Sequence, residues 1–359
     1  MFQWEVTPVI SKLNNIIEAF EIKDVDEVYS SDVKITDLKE ELQVKGHVIV
    51  VRGDKSYGEK GVSEGNPKFW MYENLLNSKL IQEQLSEFPN HKLFDGVGFS
   101  GLEALCWHSR NMNKELVVVM AYEMIPDKIL VERNDIEVIC GKEPMEEGYV
   151  KKQAEVLSQR KDLIPLHQAL RGVRAMRPIG NKIAKNLEEL NLEIDESYWC
   201  IASGANLYGI GGKLRERETK LFVVEPQTNI TIPSNLDVQN SESVKNFARR
   251  ELKDYELYQW NGKHSGIMPL HVSHLNRYLL VNWSETGITN IDGIKYVDEK
   301  KVRKLKEEVV KMNPDYNWSD TTFLSLVPAI ESAKEGKNVL VMAYGKDKPV
   351  KLRRINIEK

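Results

Sequence analysis

Short, mostly apolar runs recur along this chain, with helix-period stretches between them. Strand-length runs stand at 47–51, 116–120, 129–132, 136–139, 198–202, 221–224, 278–282 and 339–343. Several are unbroken Val/Ile/Leu, the pattern of a strand covered on both faces. Helical patterns fill 67–80, 102–110, 147–159, 181–190, 241–260, 299–312 and 321–335. The alternation predicts an α/β fold of open twisted sheets flanked by helices. No internal repeat and no Gly/Ser-rich linker divides the chain, so a second domain is expected as an insertion.

One stretch carries more than pattern. The run Tyr198-Trp199-Cys200-Ile201 leads into Ala202-Ser203-Gly204-Ala205-Asn206-Leu207-Tyr208-Gly209, and a second run, Leu221-Phe222-Val223-Val224, ends in Glu225-Pro226. Strand, small-residue turn, helix, strand is an order that aims backbone N–H groups and a helix dipole at an anion. Small residues let a phosphate reach the backbone. The alternative is a tight turn with no ligand.

Asn66-Pro67-Lys68 reads as a helix start, with Asn66 as N-cap and Pro67 in the first helical position. Lys68 then sits against the positive end of the dipole, which favours its neutral amine, and burial acts the same way. A neutral amine is what Schiff-base chemistry needs. The other reading is an ordinary lysine in a first turn.

Composition narrows the field. A length of 359 residues allows one large or two medium domains. A net charge of −4 gives no basic footprint for nucleic acid, and no apolar run is long enough to cross a membrane. Cys106, Cys140 and Cys200 are widely spaced and contain no CxxC pair, so reduced thiols and a cytoplasmic location are expected. His271 and His274 lack Cys, Asp or Glu at metal spacing, and no metal is expected. His108 reads as a packed histidine and His167-Gln168 as a cleft candidate. P-loop, GxGxxG and GxSxG signatures are absent.

Taken together, these segments resemble the fold-type-II pyridoxal-phosphate enzymes, the tryptophan synthase β-like group with its cysteine synthase and ACC deaminase/D-cysteine desulfhydrase branches. Val51-Arg52-Gly53-Asp54, Gly65-Asn66-Pro67-Lys68 and Glu73-Asn74-Leu75-Leu76 are similar to the "KRDD", "GGNK" and "LE-x-LL" segments of the desulfhydrase branch. The resemblance puts Lys68 on the Schiff-base lysine. Ser100-Gly101 matches the family's carboxylate-binding turn, although Leu102 stands where cysteine synthase-like members carry an Asn. The turn Ala202, Ser203, Gly204, Ala205, Asn206 departs from "GSGGT" at Ala202, Ala205 and Asn206, while Val224-Glu225-Pro226 matches "VEP". Counting back from Ala329-Ile330 puts Thr321 or Thr322 at the pyridine nitrogen, with Asp320 beside them; a plain helix cap is the alternative.

The resemblance implies two domains, with 80–190 the smaller insertion and 1–79 plus 191–359 the larger, cofactor-binding one. It also implies pyridoxal 5'-phosphate on Lys68, β-elimination or β-replacement on a small amino acid, and a homodimer. Leu102 and the altered turn keep open a degenerate member that binds a ligand or partner without catalysis.

Overall fold

Residues 48–51 alternate between two cores. In the computed structural model, which describes residues 33–56, 65–121, 136–141, 146–201, 204–227, 232, 236–240, 243 and 291–346, Ile49 and Val51 enter one buried cluster and Val48 and Val50 another. Successive strand side chains point to opposite faces, so a run apolar at every position requires cover on both sides. The same holds for Val339–Met342, where Leu340 and Met342 share the first cluster and Val339 and Val341 the second.

These two strands are neighbours inside a six-stranded sheet. Its strands are β1 (Ile35–Asp37), β2 (Val48–Val51), β7 (Glu196–Trp199), β8 (Lys220–Pro226), β9 (Gly293–Val297) and β10 (Val339–Met342), ordered β1-β2-β10-β7-β8-β9. All neighbours are parallel except β1 and β2. A second, fully parallel sheet orders β3 (Lys92–Gly96), β4 (Leu116–Ala121), β5 (Ile136–Gly141) and β6 (Leu163–Pro165) as β5-β4-β3-β6. Its strands fall between β2 and β7 in the chain.

The helices that position the site are α1 (Lys68–Leu76), α2 (Lys79–Glu87), α3 (Phe99–Asn111), α4 (Glu146–Gln159) and α5 (Gln168–Glu189). With α6 (Glu299–Met312) and α7 (Asp320–Lys334) they cover the sheets. The first cluster joins both sheets, taking Phe69 and Trp70 from α1, Leu93 and Val118 from the second sheet and Met176 and Ile183 from α5. The second packs α6 and α7 on the far face of the large sheet. A third sets Val156 of α4 against Phe94, Val117 and Val119.

Several expected elements are corrected. The helix expected at 67–80 is two, because Ser78 is extended between them. The helix expected at 181–190 begins at Gln168 and runs through Pro178. Strands β1, β3, β6 and β9 were not expected. The runs at 129–132, 241–260 and 278–282 lie outside the described residues, apart from position 243.

Candidate active site

Asn66 does cap α1, its side-chain oxygen accepting from the Lys68 N–H at 2.9 Å. That fixes Lys68 in the first turn, with its side chain turned inward. Its Nζ donates to the Gln168 carbonyl oxygen at 2.5 Å and lies 3.5 Å from Met71 Sδ. Burial pushes the ammonium down to about 8, against an opposing pull from Asp95. The helix start thus holds an amine that loses its proton far below the usual lysine range.

Gln168 opens α5 and joins three elements. Its side-chain amide donates to Gly96 O at 2.9 Å, and its backbone N–H points at Asp95, 3.2 Å from Oδ2. Asp95, at the end of β3, also accepts from Tyr72 Oη at 3.0 Å and from Gly96 N at 2.8 Å. Burial outweighs these bonds and raises the carboxyl to about 7. Arg171, one turn along α5, is buried and donates to Pro165 O at 3.0 Å; burial lowers its guanidinium to about 10, with Asp95 opposing.

Of the expected carboxylate turn, Ser100 is exposed in the first turn of α3 and Gly101 is buried. A Cβ on Gly101 would lie 3.6 Å from Gln168 Nε2, which places that turn beside the amide holding Lys68. Leu102 is fully buried in the core and presents no polar group there.

On the large sheet, Gly204 takes φ +72, a left-handed conformation that favours glycine. It opens a π-helical turn, Ala205–Gly211, running into an α-turn, Gly212–Arg215. The turn packs closely on α5: a Cβ on Gly172 would stand 3.2 Å from Ala205 Cβ and 3.0 Å from Met71 Sδ. Met71 and Gly172 therefore link the Lys68 amine to Ala205. Asn206 Nδ2 donates to Tyr344 Oη at 2.9 Å. Ser203 lies outside the described residues.

At the start of α7 the hydroxyls divide. Thr322 Oγ1 is buried and accepts from Tyr344 N at 2.8 Å. The Thr321 carbonyl accepts from Cys200 Sγ at 3.4 Å, and burial pushes that thiol up to about 12. Asp320 is paired with Lys306 at 2.6 Å, away from the role of ring partner. Ser319, the N-cap residue, makes no side-chain cap bond, and its Oγ is buried without a hydrogen-bond partner.

These residues fit a pyridoxal phosphate on three counts: a partly buried amine of lowered basicity, a glycine-led turn of small residues near it, and an orphaned hydroxyl. Sequence reasoning missed Asp95, Tyr72, Arg171, Ser319 and Tyr344. Asp95 alone left a signal, as an acid closing the apolar pair Leu93-Phe94. His108 is a packed histidine, its Nε2 donating to Phe69 O at 3.0 Å. Among the described residues no three His, Cys, Asp or Glu are grouped to hold a metal, and no helix is long and apolar enough to cross a membrane.

No family model matches the sequence, and no curated protein matches it. Solved structures do. A cysteine synthase from Entamoeba histolytica superposes with a TM-score of 0.61 at 13% identity, over 90% of this chain and 87% of that one. An O-acetylserine dependent cystathionine β-synthase from Helicobacter pylori gives 0.60 at 15%, over 93% and 100%. A hydrogen sulfide-producing enzyme from Fusobacterium nucleatum gives 0.60 at 15%, over 91% and 97%. The chain therefore has the two-sheet α/β fold of the cysteine synthase-like, fold-type-II structures.

Proposed function

We propose that the protein is a pyridoxal-phosphate-dependent enzyme that eliminates or replaces a β-substituent on a small amino acid, such as a serine or cysteine derivative. The observation that carries this reading is the enclosed Lys68 amine, hydrogen-bonded to a neutral amide and lowered to about 8. The neighbours with this fold support it, since their names specify O-acetylserine and hydrogen sulfide chemistry.

Lys68 would hold the cofactor through its amine, and Gly204, Ala205 and Asn206, with Ser203, its phosphate. The bound cofactor supplies an electron sink for the substrate α-carbon. The Ser100-Gly101 turn would orient the substrate carboxylate, and the Lys68 amine, once the substrate's amino group has displaced it from the cofactor, would be the base that takes the proton from Cα and returns it. Thr321 or Thr322 was the expected partner of the ring nitrogen; Thr322 already serves the Tyr344 backbone, and the buried, unpartnered Ser319 hydroxyl is a further candidate donor. A neutral hydroxyl there, with Asp320 held by Lys306, suits departure of a β-substituent more than a long-lived carbanion.

Amino acids added to the protein with pyridoxal phosphate should change its visible spectrum and release product. K68A should lose both the imine with the protein and turnover; unchanged turnover in that variant would overturn the reading. The buried Leu102 favours a second reading, a binding protein that keeps the fold and cofactor. For that protein the spectrum changes without product. The inserted unit at 80–190, the homodimer and the cytoplasmic location belong to the same proposal; limited proteolysis, light scattering and cell fractionation check them.

A further inference from the structure

Asp95 has no part in the chemistry above, yet it is tied to Lys68 from two directions. Tyr72 stands one helical turn after Lys68 and donates to Asp95 Oδ2 at 3.0 Å. Gln168 accepts from Lys68 through its side chain and turns its backbone N–H toward Asp95. The carboxylate is 2% exposed, so solvent screens its field at the amine only weakly.

We propose that Asp95 is a positioning residue that holds the proton on the Lys68 amine in the resting protein, with Tyr72 and Gln168 fixing its carboxylate. Burial alone would strip that proton. The negative charge of Asp95, developed as pH rises through about 7, is the opposing force, and Tyr72 favours that ionised form by donating to it. Other titratable groups on the surrounding elements include Glu73 on α1, Glu103, Cys106, His108 and Arg110 on α3, His167, Arg171 and Arg174 at the start of α5, and Tyr208 on the π-helical turn. His167 is lowered to about 4 by burial and then by Arg171, so it is neutral near pH 7. Burial raises the Tyr208 phenol, which stays neutral too. Arg171 is a cation and cannot retain a proton on a neighbouring amine. Asp95 is the carboxylate tied by hydrogen bonds to both Tyr72 and Gln168.

The inference uses the Lys68 of the proposed site, but its test needs no cofactor. The full-length chain is treated with hydroxylamine to remove any bound carbonyl compound. Lys68 acetylation by acetic anhydride is then followed by peptide mass mapping between pH 6 and 10. The wild-type midpoint should lie near 8. In D95N it should fall, and a fall from about 8 to about 7 would raise labelling at pH 7 about fivefold. Y72F keeps the ring packing and should shift the midpoint the same way by less, so it carries the test if D95N does not fold. An unmoved or raised midpoint in the folded variants overturns the proposal. A shifted midpoint in a protein that never binds pyridoxal phosphate would leave the proposal standing and remove the enzyme reading instead.

Discussion

The Gln168 side chain uses both polar ends inside the protein, accepting from Lys68 and donating to Gly96 O. Leucine at 168 would fill a similar volume and leave both partners without that residue's hydrogen bonds. Q168L should destabilise the fold by about 1–3 kcal/mol in urea unfolding; an unchanged midpoint would mean that those groups find other partners. Asp95 gives a pH signature. Its carboxyl titrates near 7 in the folded chain against an ordinary 3.8, chiefly through burial. The folded state binds that proton more tightly than the unfolded state, so the stability it contributes is full below 3.8 and lost as pH rises through 7. D95N is neutral throughout and should gain on wild type across that window, a difference that paired urea melts would read. A pH-independent difference would show that the carboxyl stays ionised. At this scale Lys68 was legible, because a capping Asn, a Pro and a first-turn Lys form a local motif. Asp95 and Tyr72 were not: their pairing spans 23 positions, and nothing in either neighbourhood announces the other.

The π-helical turn and α5 meet backbone to backbone. A Cβ on Gly209 would stand 2.5 Å from Val173 O and from Met176 Cβ, too close for relief by a rotamer change. G209A should therefore push the turn off α5 and cost about 1–3 kcal/mol, read by thermal or urea unfolding. A variant as stable as wild type would show that the turn has slack. The elements legible in the sequence were those with strong periods. Glu299–Met312 matches its expected range, and its N-cap Asp298 accepts from Lys300 N at 2.9 Å. Helix α5 was misread because Gly172, Pro178 and Gly180 interrupt its pattern, and a proline normally ends a helix. The glycines are there for close contact: a Cβ on Gly180 would lie 3.0 Å from Ile210 Cα. Strand β3 was missed because Lys92 and Asp95 flank two apolar residues, and β6 has three residues in all.

Across the whole molecule, the candidate site draws on both sheets and on the helix that returns from one to the other. Lys68 follows the second strand of the large sheet, Asp95 lies one residue before the end of β3, Gln168 opens α5, and Ala205 follows β7. One apolar cluster spans all four neighbourhoods, so packing fixes the polar groups relative to one another. The α/β class and the glycine-led turn were legible, because each is written in a continuous segment. The convergence of Gln168 and Asp95 on Lys68 was not, because it is a property of the assembled fold. The central claim is that Lys68 is the amine that carries the cofactor. Borohydride reduction of the purified protein with pyridoxal phosphate, followed by peptide mapping, tests it most directly. A visible absorbance band that reduction abolishes and one pyridoxyl adduct, on Lys68, are the expected result. No band and no adduct, or an adduct on another lysine, would contradict it.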